Sequence, residues 1–210
     1  MRTAAYWLMT IGCIGVCGYA MYGYAVQEPG ASVHPEMLRV YREHPWGIRL
    51  HVFGAVLALL LGPAQFHEGL RRRYPKVHRG IGYVYAIGGV AIGGLAGLYM
   101  SQYAFGGLVS HIGFAGIAVV WLITGTAAVR QAVRKNFVSH RRWMIRNFAL
   151  TFAAVTLRIQ LGLFFASGFE FEEFYPVLAW SSWVPNLIFA DWFLVATERS
   201  RQAGLSDGLT

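Results

Sequence analysis

The chain has 210 residues, of which 56% are hydrophobic and 13% charged, with a formal net charge of +8 and a mean hydropathy of +0.43. Soluble domains carry about a quarter charged residues, so these polar side chains cannot cover a 23.4 kDa globule. That excludes an ordinary cytosolic enzyme, a disordered chain and, with two cysteines, a disulfide-stapled secreted domain.

A membrane-crossing helix needs about 20 mostly apolar residues. The first such stretch is Thr3–Val26. With Arg2 before it and Gly23-Tyr24-Ala25 at its end it could be a cleaved signal peptide, but its apolar run exceeds the usual signal core and a retained helix is expected. Cys13 and Cys17 share one face of this helix and read as small buried residues. The first loop carries His34 and His44, expected to be solvated. Gly47–Phe66 is the second span; the face of His51 continues through Ala55, Ala58 and Gly62. His67 is turned about 160° from His51 at 100° per residue.

The third span, Ile81–Ala104, follows His78, whose face continues through Gly82, Gly89 and Ala96. The fourth, Leu108–Val129, begins near His111. In the fifth, Trp143–Ala166, the line of His140, Met144, Asn147, Thr151, Ala154 and Arg158 falls within about 40°. Val177–Ala196 is the sixth. The intervals are short and polar, so the sequence predicts one all-α, polytopic membrane domain over residues 1–210. Helices two to five (about 47–166) form an up-down four-helix bundle, with peripheral helices at about 3–26 and 177–196.

Sorting charges by side explains the +8. With cytoplasmic termini, the inner segments hold 13 basic residues: Arg2, Arg71, Arg72, Arg73, Lys76, Arg79, Arg130, Arg134, Lys135, Arg141, Arg142, Arg199 and Arg201. They hold three acids, Glu68, Glu198 and Asp207. The outer segments hold Arg39, Arg42 and Arg49 against Glu28, Glu36, Glu43, Glu170, Glu172 and Glu173. A Lys/Arg bias of 13 to 3 is the positive-inside signature of a multi-pass protein of the inner (cytoplasmic) membrane. Topology therefore accounts for the basic surplus, and neither nucleic acid nor phosphate binding by the loops is needed to explain it.

Four of the seven histidines form a pattern. His51 and His111 stand near the outer starts of helices two and four; His78 and His140 stand at the inner starts of helices three and five. The hairpins are offset by 60 and 62 residues, and both inner histidines precede arginine. This reads as a parallel hairpin repeat about an axis normal to the membrane. In an up-down bundle, helices two and four are diagonal, as are three and five. His51 then faces His111 at one depth and His78 faces His140 at another, the layers being roughly 20–30 Å apart at 1.5 Å per residue. Paired histidines across a bundle core suit bis-imidazole ligation of two b haems, and the small residues leave room for a flat macrocycle. The plainer alternative is interfacial histidines beside phosphate head groups and small residues used for helix packing.

Arg146, Arg158 and Asp191 fall within spans, where charge is expensive and marks function. Arginine forks bind haem propionates, so Arg158 or Arg49 is expected to support an outer haem, and Arg79, Arg141 or Arg146 an inner one. An Arg146–Asp191 ion pair is the structural alternative. A quinone site near Asp191, Asn186 or Gln160 is a weaker reading.

The runs His78-Arg79-Gly80-Ile81-Gly82-x-x-Tyr85 and His140-Arg141-Arg142-Trp143-Met144-x-Arg146, continuing to Leu157-Arg158, resemble the bacterial membrane-protein family catalogued as domain of unknown function 2306. The similarity spans about helices two to five and implies no particular activity. The layout of the four histidines also resembles the cytochrome b561 class, which implies His51 with His111 holding one b haem and His78 with His140 the other. The function expected is transmembrane electron transfer, a membrane oxidoreductase role with the lipid bilayer, an electron donor and acceptor or quinone, and a homodimer as open partners. A transporter using buried Arg and His to bind an anion or relay protons is the alternative. A haem-free scaffold predicts alanine tolerance at all four histidines. No nucleophile, carboxylate pair or zinc spacing supports a hydrolase.

Overall fold

The computed structural model describes residues 3–29 and 34–206, the last eight by backbone alone. Arg2 and Asp207 of the charge count lie outside the described residues, as do the side chains of Arg199 and Arg201. Among the described residues there is no strand. The elements are α1 (Thr3–Met21, running into a π-helical turn at Tyr22–Val26), α2 (Pro35–Glu43), α3 (Pro45–Phe66), α4 (Glu68–Arg73) and α5 (Pro75–Tyr83). They continue with a π-helical segment at Val84–Ala91, α6 (Ile92–Ser101), α7 (Gly107–Val133), α8 (Phe137–Thr151), α9 (Ala153–Ala166), α10 (Phe171–Ser181) and α11 (Val184–Ser206).

Among these residues, five helices are long and apolar enough to cross a membrane: Thr3–Val26, Pro45–Phe66, Pro75–Ser101, Gly107–Val133 and Phe137–Ala166. They turn large apolar side chains outward. Leu8, Leu95, Ile123 and Leu163 are each more than half exposed, a surface that hydrocarbon solvates and water does not.

The sixth expected span is not one continuous helix. Its place is taken by α10 and α11, parted at Ser182 and Trp183. Pro185 has no N–H to donate to the Ser181 carbonyl four residues back, and its ring crowds that carbonyl, which helps to place the break; Gln160 donates to the Ser181 carbonyl instead. α10 packs against α7, and α11 against α8. Trp180 donates to the Val109 carbonyl at the start of α7, while Arg146 of α8 pairs with Asp191 of α11. The two pieces thus contact opposite ends of the helical array.

Starts and stops follow local chemistry. Pro45 and Pro75 stand in the first turns of α3 and α5, where a missing N–H is harmless. Asn136 caps α8 by accepting from the Ser139 amide, and Glu170 with Glu173 makes a capping box at α10. Gly106, at φ +89°, turns the chain into α7 in a backbone conformation that L side chains rarely adopt.

The third and fifth spans begin earlier than the hydropathy predicts, at Pro75 and Phe137. His78 and His140 consequently lie one turn inside their helices rather than at the boundary. α3 packs closely along the Pro75–Ser101 span, and a Cβ on Gly54 would lie 2.7 Å from the Gly93 backbone. Ala58 meets Gly89 in the same interface, where a Cβ on Gly89 would lie 2.8 Å from that of Ala58. Ala58 and Gly89 belong to the set of small residues read from sequence as room for a macrocycle, and here they let two helices approach. Of that set, Ala55 and Gly82 line cavities.

Candidate functional site

The four patterned histidines divide between two cavities, two in each. His51 and His111 line a cavity of about 480 Å³ at the end expected to be outer. His78 and His140 line a wider basin of about 1530 Å³ at the other end. The pairing matches the repeat read from the sequence.

Three of the four rings are oriented by a backbone carbonyl. His51 Nδ1 donates to Gly93 O at 2.9 Å, and His140 Nδ1 to Ala128 O at 2.8 Å, leaving both Nε2 atoms to the cavities. His111 bonds Ala104 O through Nε2 at 2.9 Å, so its Nδ1 is the unengaged nitrogen. His78 Nδ1 is buried without a partner. The His51 ring also fits against Gly97, where a Cβ would come within 2.6 Å of Nδ1. Donation from one ring nitrogen to a carbonyl is the usual arrangement of a histidine whose other nitrogen binds metal. Among the described residues no group of three or more His, Cys, Asp or Glu could hold a bare metal ion.

Of the arginines expected to receive an anion, Arg158 lines the outer cavity, with the phenols of Tyr24, Tyr41 and Tyr175 on other walls. Its hydrogen bond goes to the Ala154 carbonyl at 3.4 Å, and among the described residues no carboxylate pairs with it. Arg49 does not line this cavity. Arg79 and Arg141 line the inner basin. Arg146 does not; it donates to Asp191 Oδ1 at 2.7 Å and stacks on Trp143. Arg142 makes a parallel pair with Glu198 at 2.6 Å. These two ion pairs fasten α11 to α8. Asn186 joins the same seam by donating to Ala149 O and Thr156 Oγ1, and Gln160 bonds Ser181.

The outer loop is more ordered than expected for solvated histidines. His34 stacks on Phe171 and Phe105, and its Nδ1 accepts from the Glu36 amide. Nε2 therefore carries the proton and donates to Glu172 at 3.1 Å. A hydrogen bond from its own backbone amide, and then that from His34, hold the Glu172 carboxyl below its ordinary range. Arg42 does the same to Glu28 through a fork of two hydrogen bonds. His44 stacks on Tyr103, and its Nδ1 shares a hydrogen bond of 2.8 Å with the Tyr99 hydroxyl. These contacts fix α2, whose Met37, Val40 and Tyr41 form one wall of the outer cavity.

Between the cavities lies a buried polar network. Tyr85 donates to Asn147 Oδ1 at 2.7 Å, and Asn147 Nδ2 donates to Trp121 O and Thr124 Oγ1, both at 2.8 Å. Thr151 Oγ1 accepts from Trp121 Nε1 at 2.9 Å and lies 3.0 Å from the Tyr85 hydroxyl. Tyr85 is 2% exposed and Asn147 0%. Tyr85 also lines the inner basin, while Trp121 and Thr151 line the outer cavity. The face of His140 points to Asn147 and Thr151, and Tyr85 closes the motif that begins at His78, but no spacing in the sequence brings Trp121 and Thr124 beside them. The available signal was the repeat, because Tyr85 and Asn147 are equivalent positions in its two hairpins.

Set beside known proteins, the chain matches the model of the family described as predicted membrane protein (DUF2306) over residues 48–194. No curated protein and no solved structure matches it. The family match covers α3 to α11 up to Leu194, including both histidine hairpins, and the chain belongs to that family.

Proposed function

As a member of that family, we propose, the chain is an electron-transfer protein of the inner membrane that holds two b haems. Its termini are cytoplasmic, α10 and α11 together complete a sixth span, and helices two to five form the up-down bundle. The observation that carries this reading is the division of four histidines into two cavities, with three of the rings set by backbone carbonyls.

The residues fit the group. His51, cradled at Gly97, and His140 each offer a free Nε2. The orphaned Nδ1 of His78 is a buried polar atom that needs a partner. His111 reaches the same cavity as His51 and would ligate through Nδ1, or through Nε2 after releasing Ala104. Arg158 supplies an unpaired fork for an outer propionate, and Arg79 and Arg141 supply charge at the inner basin. When bound, haem supplies reversible one-electron chemistry at a potential set by its axial ligands and surroundings. The chain's own part is to orient the imidazoles, neutralise propionates and hold apolar walls against water.

The test is a dithionite-reduced minus oxidised spectrum of protein purified from haem-supplied cells. A b-type α-band at two haems per chain is expected, with His51→Ala and His140→Ala each removing about half of it. Monodisperse protein with no such band would overturn the reading. The competing transporter reading rests on Arg158 having no carboxylate partner among the described residues and predicts anion uptake by haem-free proteoliposomes.

A further inference from the structure

The two cavities approach each other from opposite ends of the array, and the Tyr85–Asn147 network stands where they would meet. We infer that this network is a proton-tight septum, with the Asn147 amide as the element that breaks a transmembrane proton path. The inference rests on the cavities and the network alone and holds whether or not haem is bound.

Proton hopping needs groups that accept a proton at one lone pair and release another from the same atom. Thr151 and Tyr85 are hydroxyls of that kind, 3.0 Å apart, and they lead from the wall of the outer cavity to Asn147, because the Tyr85 hydroxyl donates to Asn147 Oδ1 at 2.7 Å. The next group, Asn147, is an amide. Its Oδ1 accepts from Tyr85 while its two N–H bonds are held by Trp121 O and Thr124 Oγ1. An amide fixed in that way neither ionises nor exchanges donor for acceptor at one atom. These three hydrogen bonds also commit both of its N–H groups, so it has no donor left to hold a bridging water.

Packing closes the remaining space. A Cβ on Gly125 would lie 3.2 Å from Asn147 Nδ2 and 2.8 Å from Val90, so the glycine lets α7 close against the amide. A carboxyl at position 147 would match the amide in size, while giving up the amide's donations to Trp121 O and Thr124 Oγ1. The amide differs from it in being unable to relay a proton.

The experiment follows decay of an imposed pH gradient, read by a trapped pH-sensitive dye, in proteoliposomes of the full chain and in protein-free liposomes. The wild type is expected to hold the gradient as well as protein-free liposomes. Asn147→Asp and Asn147→Ser, which place a proton carrier at that point, are expected to discharge it several-fold faster. Tyr85→Phe removes a hydroxyl but adds no carrier, and is expected to stay tight. The inference is overturned if the wild type leaks above the protein-free rate. It is equally overturned if monodisperse Asn147→Asp and Asn147→Ser both remain tight, or if Tyr85→Phe leaks as fast as they do, since packing alone would then explain the barrier. Should neither Asn147 variant fold, a wild type or a Tyr85→Phe protein that leaks above the protein-free rate still overturns it.

Discussion

Tyr85 and Asn147 touch across the centre of the array, the phenol donating to the amide oxygen at 2.7 Å. Each stands seven residues after the inner histidine of its own hairpin, His78 or His140. Seven residues is two helical turns, so each lies on the same face as its histidine. In the parallel repeat expected from the sequence, equivalent positions meet at the repeat axis, and this hydrogen bond joins one such pair of positions.

Because both partners are fully buried, their coupling is measurable. Tyr85→Phe, Asn147→Ala and the double variant, compared by thermal or denaturant unfolding in detergent, should show an interaction of about 0.5–1.7 kcal/mol. Asn147→Ala alone should cost more than Tyr85→Phe, because it also strands Trp121 O and Thr124 Oγ1. Strict additivity of the two single changes would remove the coupling.

A second prediction concerns the interface between α3 and α6. The Gly54–Gly93 approach leaves no room for a side chain, and the nearest atoms are backbone. Gly54→Val should force the helices apart, destabilising the fold by about 1–3 kcal/mol. Gly15 of α1, with nothing within 4 Å of an added Cβ, should accept Ala without loss. Equal behaviour of the two in fluorescence-detected size-exclusion chromatography would contradict this packing.

How far the sequence carries these features depends on what sets each one. Five spans were readable because lipid exposure forces long apolar runs, and the cavity-sharing of His51 with His111 followed from a repeat offset. Span ends were less readable, since Pro75 and Phe137 open helices in polar sequence that hydropathy assigns to loops. Ala58 and Gly89 looked like space and proved to be contact, because a small residue serves both purposes and the pattern does not say which. His34 and His44 lie in polar loop sequence, and their ordering comes from rings brought in by distant segments, Phe171 and Tyr103. Arg158 lining a cavity while Arg146 pairs with Asp191 was likewise beyond spacing arguments, because it depends on where α11 docks.

The seam between α8 and α11 gives a third prediction. Asp191 is half exposed in the structure, and in the proposed sixth span that exposure would face lipid rather than water. Asp191→Asn would leave Arg146 unpaired there, at a cost bounded by about 2.5–3.5 kcal/mol for a charge at a helix centre. The loss should be smaller in detergent with water nearby, and the exchange Arg146→Asp with Asp191→Arg should recover part of it. A defect of equal size in both solvents would indicate that the pair does not depend on lipid exposure.

The fourth concerns acid. Glu172 is held below its ordinary carboxylate range by hydrogen bonds from its own amide and from His34. A carboxyl with a depressed folded-state pKa adds stability at pH above its unfolded value. That contribution is lost as pH falls through the lowered folded value. The anchoring of α2 over the outer cavity should therefore weaken only on acidification below the usual carboxylate range. Thiol labelling of Met37→Cys should accelerate there, and Glu172→Gln should remove the acid-dependent step. Because the pair is on the surface, high salt should diminish the effect. A labelling rate independent of pH across that range would disconnect Glu172 from α2.

Arg158 separates the two functional readings. It is a cation in a cavity that also holds His51 and His111, and among the described residues its hydrogen-bond partner is a backbone carbonyl and not a carboxylate. If it receives a propionate, Arg158→Gln should lower retention of the outer haem and shift the midpoint potential of the His51-dependent signal, leaving the His140-dependent signal unchanged. Arg158→Lys keeps the charge but loses the two-pronged geometry, so it should fall between the wild type and Gln. If the residue instead binds a transported anion, haem content and both potentials will be indifferent to either substitution while uptake falls. A carboxylate-binding arginine must affect the haem it neutralises; potentiometric titration of the single-histidine variants, carried out with and without Arg158→Gln, therefore assigns the residue to one role.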